Sequence, residues 1–153
     1  MYSLVLTLHS IVRWAVVIIG VIAVVRAFIG WFGGRQWQQL DDRLGLGFTS
    51  VLDINLLLGL LLYFFLSPIT TGAFKDFGAA MSNGSVRFFA VEHIFIMIVA
   101  VVLAHIGRSR SKKATDDRGK FKRAAIFFGL AMLAVLLAIP WPFLAAGAGR
   151  GWL

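Results

Sequence analysis

Cysteine does not occur in the 153 residues. Disulfides, thiol chemistry and cysteine-ligated iron–sulfur clusters are therefore excluded. Charge is the second scarcity. Asp, Glu, Lys and Arg make up 14% of the chain, against about 25% in soluble domains. So few charges cannot cover a water-soluble surface. Acids are scarcer than bases, seven against fifteen, which leaves a formal net charge of +8. Histidine occurs three times. No hydrophilic block is large enough for a second domain outside a bilayer, and there is no internal repeat or low-complexity tract. The opening residues lack the positive segment of a cleavable signal, and Arg13 interrupts the apolar run, so the first helix is expected to be retained.

Hydrophobic residues make up 59% of the chain, and the mean hydropathy is +0.86. Four apolar stretches carry this excess, at 4–25, 46–66, 88–106 and 124–144. A transmembrane helix needs about 17–25 residues. The expected architecture is all-α: an integral membrane four-helix bundle forming a single transmembrane domain over 1–153. Short connections after the first and third helices favour an up-down-up-down order. The fourth stretch meets Pro140 and Pro142, so its end is expected to kink or unwind. Trp31, Trp37 and Trp141 suit the membrane interfaces. Between the second and third helices, 72–77 is read as a short surface turn and Asn83-Gly84 as a tight turn.

Loop charge orients the bundle. Connections one (30–45) and three (107–123), counted with Arg26, hold eleven Lys or Arg residues: Arg26, Arg35, Arg43, Arg108, Arg110, Lys112, Lys113, Arg118, Lys120, Lys122 and Arg123. The other side holds Lys75, Arg87 and Arg150. Cytoplasmic loops collect Lys and Arg. Loops 30–45 and 107–123 are therefore expected in the cytoplasm. Both termini and loop 67–87 are expected outside, at the periplasmic face of a bacterial inner membrane. The basic third connection also attracts anionic headgroups, at about 1 kcal/mol per charge near the surface. It carries no nucleic-acid-binding module.

Ionisable residues inside a membrane are costly and are functional candidates by default. Helix one offers His9, Arg13 and Arg26; helix two Asp53 and Asn55; helix three Glu92, His93 and His105; helix four none. His9 and His93 each lie five residues into parallel helices from the outer face, about 8 Å deep at 1.5 Å per residue. A four-helix square has a diagonal of roughly 11–14 Å when neighbours stand about 8–10 Å apart. That gap suits a flat macrocycle ligated from both sides, and imidazole is a usual axial ligand of haem iron. Arg13 and Arg87 are placed to neutralise propionates or to steady Glu92. Small residues at Gly20, Ala100 and Ala104 would leave room for the ring. The plain alternative is structural: the histidines bond neighbouring helices, and Arg13 pairs with Glu92. Near the inner face, Arg26, Asp53 and His105 form a second expected cluster, either a structural network or a quinone or proton site.

The segments His9–Trp14, Arg87–His93 and Ile139–Phe143 resemble a family of small four-helix bacterial membrane proteins labelled cytochrome b-like. The resemblance runs over nearly the whole chain, including helix order and loop charge. It implies one haem b per chain, with His9 and His93 at the ligand positions. Two-haem relatives of similar helix count need four histidines, which this chain lacks. The expected function is a haem b membrane subunit. It exchanges electrons with a quinol or a periplasmic redox partner inside a larger respiratory or photosynthetic complex, and is not an enzyme by itself. The expected partners are the lipid bilayer, other membrane subunits and a quinone. The rival readings are a haem-free accessory subunit and a small transporter or channel. Against the latter, helix four has no ionisable residue and no helix is broken at mid-membrane.

Overall fold

The computed structural model describes residues 1–149, 151 and 152; Arg150, counted above among the outer cations, lies outside them. Four helices are long and apolar enough to cross a membrane: Tyr2–Gly33, Gln39–Leu66, Gly84–Lys113 and Asp117–Ala138. No strand occurs among the described residues. Large apolar side chains such as Leu57, Phe65, Phe95 and Leu137 point outward, while Ser10, Thr49 and Asn55 are buried. That inversion suits a lipid surround, where exposed apolar surface carries no penalty. The chain is a helical, multi-pass membrane protein.

Helix α1 covers Tyr2–Gly33, well past the apolar stretch at 4–25. Arg26 does not end it, because its guanidinium meets Asp41 at 2.8 Å, with the Asp41 side chain 4% exposed. Gly34 stops the helix at φ 60°, its N–H bonded to the Gly30 carbonyl; glycine takes that left-handed cap without steric cost. Helix α2 covers Gln39–Leu61. Asp41 and Asp42 occupy its first turn, where carboxylates complement the helix dipole. It continues through a π-helical turn, Leu62–Leu66, and ends at Ser67, the residue restricted by Pro68.

The segment read as turns is instead three short helices: α3 Pro68–Lys75, α4 Phe77–Ser82 and α5 Gly84–Arg87. Gly72 lies inside α3. Asn83 is an N-cap rather than a turn residue. Its Oδ1 accepts from the N–H groups of Ser85 and Val86, both at 3.1 Å, the job asparagine does best at a helix start. Asp76 caps α4 in the same way, through the Ala79 N–H.

A second π-helical turn, Phe88–Glu92, joins α5 to α6, His93–Lys113. Helix α7 covers Asp117–Ala138, starting and ending earlier than the stretch 124–144. Asp116 caps its start through the Gly119 N–H at 3.1 Å. In its first turns the Lys122 ammonium stands 5.9 Å from the Trp31 ring centre and Arg123 donates to the Arg110 carbonyl at 3.1 Å. It ends because Pro140 forces Ile139 out of the helical region.

Helix α1 packs on α2 and α7, and α6 packs on α7 and α2. Helices α1 and α6 therefore stand across the diagonal from each other. The core holds Val16, Phe48, Leu52, Ala131 and Val135. Gly20 lies beneath the Met132 side chain and Gly30 beneath the Phe121 ring, so close that a Cβ at either would collide. Helices α3 to α5, with residues 139–149, 151 and 152, lie at the bundle end that carries His9 and His93.

Candidate functional site

His9, on the third turn of α1, and His93, the first residue of α6, bring their rings together across the bundle. The centroids are 6.3 Å apart and the ring planes are inclined by 72°. Each ring is held from behind. His9 Nδ1–H donates to the Asn55 carbonyl at 3.1 Å, and His93 Nδ1–H donates to the Ala138 carbonyl at 2.7 Å. A carbonyl only accepts, so Nδ1 must carry the proton. In the neutral ring the lone pair is then on Nε2. This is the arrangement that orients a metal-ligating imidazole.

Both acceptor carbonyls are accessible for reasons visible in the chain. Residues 140 and 142 are prolines and have no N–H. The carbonyls four residues earlier, Leu136 and Ala138, therefore have no helical donor. The Trp141 indole N–H takes Leu136 at 2.9 Å, and His93 takes Ala138. The Asn55 carbonyl lies mid-helix, where the side chain four residues on would normally shield it. That residue is Gly59. A Cβ there would stand 3.2 Å from His9 Cε1 and 3.7 Å from Nδ1, so glycine is what admits the imidazole.

Both rings line a cavity of about 270 Å³, near the lower end of the roughly 300–1,000 Å³ usual for small-molecule sites. Its apolar wall includes Phe89, Ile94, Met97 and Pro140; its polar wall includes Ser10, Arg13, Asn55, Tyr63 and Thr70. Both π-helical turns border it, and such turns often mark functional sites. Tyr63 donates to the Ala90 carbonyl at 2.7 Å and Thr70 to the Tyr63 carbonyl at 2.7 Å, tying one π turn to the other. Two buried polar atoms on the wall have no partner among the described residues: Asn55 Oδ1 and Arg13 Nε. Orphaned buried polar atoms are rare and call for an explanation.

Several expected contacts differ. Glu92 pairs with Arg87 at 2.8 Å, not with Arg13. The π turn is the reason: its i→i+5 repeat brings residues 87 and 92 onto one face. Arg87 is therefore engaged at the surface and is not among the residues lining the cavity. Arg13 is on the wall, but one arm donates to the Trp152 carbonyl, and its guanidinium sits 5.5 Å from the Trp14 ring centre. Trp14 Nε1 donates to the same carbonyl at 2.9 Å. Gly20, Ala100 and Ala104 leave no room for a ring. Gly20 is filled by Met132, and both alanines are packed in the core at 0% exposure.

The second cluster forms in part. His105 Nε2 meets the Asp53 carboxylate at 2.8 and 3.1 Å. Arg26 does not join them, because Asp41 holds it. No group of three or more His, Cys, Asp or Glu residues suited to a metal occurs among the described residues; His9 and His93 offer two nitrogens and no third protein ligand. Sequence reasoning missed Gly59, Tyr63 and Thr70, and it gave Asn55 no role. A glycine four residues after an intramembrane asparagine is the signal that was available. No family model, curated protein or solved structure matches this chain.

Proposed function

We propose that this protein is a membrane electron-transfer subunit holding one haem b between His9 and His93. The observation that carries the reading is the facing pair of imidazoles, each with Nδ1 tied to a carbonyl and Nε2 left for a ligand bond. The spacing fits the group. An imidazole nitrogen binds a transition metal at about 2 Å and lies about 1 Å from its ring centre, so two rings on one metal stand about 6 Å apart. A two-nitrogen protein set also suits a metal whose other positions are filled by a macrocycle.

In this reading His9 and His93 hold the iron. The Asn55 and Ala138 carbonyls would fix the tautomer and the ring orientation of each ligand. Arg13 is the cation on the cavity wall, available to a carboxylate through its unpartnered Nε. Phe89, Ile94 and Met97 exclude water. The haem would supply one-electron chemistry. The electron partners are a quinol or a periplasmic redox protein within a larger respiratory or photosynthetic complex. The bundle runs up-down-up-down in a bacterial inner membrane, its basic loops inside and its termini outside. The resemblance to cytochrome b-like proteins points the same way.

The test is the purified protein's optical spectrum. We expect a low-spin b-type spectrum with one haem per chain, lost in His9→Ala and His93→Ala while the helical signal stays. A folded, colourless protein would sink the reading. It would favour a haem-free accessory subunit, supported by the fact that each imidazole also links two neighbouring helices, α1 to α2 and α6 to α7.

A further inference from the structure

We propose that the Asp53–His105 pair docks the head group of a lipid-soluble quinone or its quinol. The proposal takes its ligand class from the electron-transfer reading, and its site from observations independent of His9 and His93.

Among the described ion pairs and intramembrane histidines, this pair is unlike the rest. His9 and His93 face inward. Arg26 is closed off by Asp41, and Arg87 by Glu92. Asp53 and His105 lie on the seam between α2 and α6 with side chains 45% and 46% exposed, so they look out of the bundle. Ionisable groups in membrane helices almost always face the interior or a watery cavity. A pair facing the other way is open to a partner arriving through the lipid. The surrounding surface is apolar: Ile54, Leu57 and Val102 are all exposed. That is a fitting bed for a hydrocarbon tail. His105 is three residues before Arg108, about 4.5 Å along the helix, so the pair sits just beneath the basic rim.

The chemistry selects the head group. His105 Nε2 is committed to both carboxylate oxygens of Asp53, while Nδ1 has no polar partner among the described residues. In the neutral ring Nδ1 accepts, which matches a quinol hydroxyl. In the protonated ring Nδ1 donates, which matches a quinone carbonyl, and Asp53 offsets the added charge. One nitrogen thus serves both redox forms. A saturated lipid tail offers neither hydrogen bond.

The test uses the full chain in lipid nanodiscs, with decylubiquinone as the probe and 15N-labelled histidine. We expect saturable binding that moves the His105 Nδ1 resonance. His105→Phe and Asp53→Leu should weaken binding by about tenfold or more, the worth of one hydrogen bond involving a charged group. Asp53→Asn should weaken binding of this oxidised probe as well, since the amide oxygen still accepts from Nε2–H but brings no charge to offset the protonated ring, and should keep most of the binding of the reduced quinol. Should His105→Phe fail to fold, the labelled resonance in the unaltered chain and His105→Gln decide. Unchanged binding in His9→Ala separates this site from the haem reading, and a haem-loaded protein with no shift overturns this site alone. Absence of saturable binding overturns the proposal. So does disulfide cross-linking of Leu57→Cys between copies, which would place a second chain on this seam.

Discussion

Gly59 has an unusual balance of effects. Glycine inside a helix costs about 0.5–1 kcal/mol relative to alanine, so Gly59→Ala should favour α2 as a helix. Yet its Cβ would press on His9 Cε1 at 3.2 Å and push the imidazole off the Asn55 carbonyl. We expect Gly59→Ala to leave thermal stability unchanged or slightly higher while weakening haem retention about 10–100-fold, the usual cost of losing an orienting partner. Haem titration of the apoprotein beside a melting curve measures both, and parallel losses would contradict this account. Arg26 and Asp41 give a simpler case. Asp41 accepts from Arg26 Nε at 2.8 Å and from the Gln38 N–H at 2.9 Å. Asp41→Ala removes both bonds and leaves Arg26 without its counter-charge. A loss of about 1–3 kcal/mol is expected, read as a shift in the detergent-induced unfolding midpoint with haem content unchanged.

At the scale of elements, two interruptions of regular helix build the site. The first is the proline pair ending α7. Replacing both, Pro140→Ala with Pro142→Ala, restores the N–H groups that would claim the Leu136 and Ala138 carbonyls. Helix α7 should then lengthen and His93 should lose its anchor. The expected readout is loss of the low-spin signal with helical content equal or higher by circular dichroism; Pro140→Ala alone leaves residue 142 without an N–H and should do less. The second interruption is the π turn at 88–92. These features explain what the sequence did and did not disclose. The four spans were legible because apolar length is a property of composition. His9 and His93 were legible because depth follows from counting along a helix. That Arg87 rather than Arg13 takes Glu92 was not, because 3.6-residue periodicity sets residues 87 and 92 apart and only the π turn joins them. Helices α4 and α5 were missed because their caps, Asp76 and Asn83, are also common turn residues.

In the whole molecule, four helices long and apolar enough to cross a membrane gather the His9 and His93 imidazoles at one end. Orientation is open to direct measurement, and the absence of cysteine makes it simple. Ser82→Cys and Thr115→Cys, both at exposed positions, would each be the sole thiol. On intact cells a membrane-impermeant maleimide should label residue 82, and should label residue 115 only after the membrane is opened; the reverse pattern would invert the topology proposed above. The bundle also depends on what holds His9 and His93. Both anchors are main-chain carbonyls, from Asn55 and Ala138. A side-chain acceptor vanishes with one base change, whereas a peptide oxygen persists whatever residue drift places at 55 or 138. The tautomer of each ring is thereby insulated from substitution at its own anchor. The positions that purifying selection must guard are instead three without a side-chain hydrogen bond of their own: Gly59, Pro140 and Pro142.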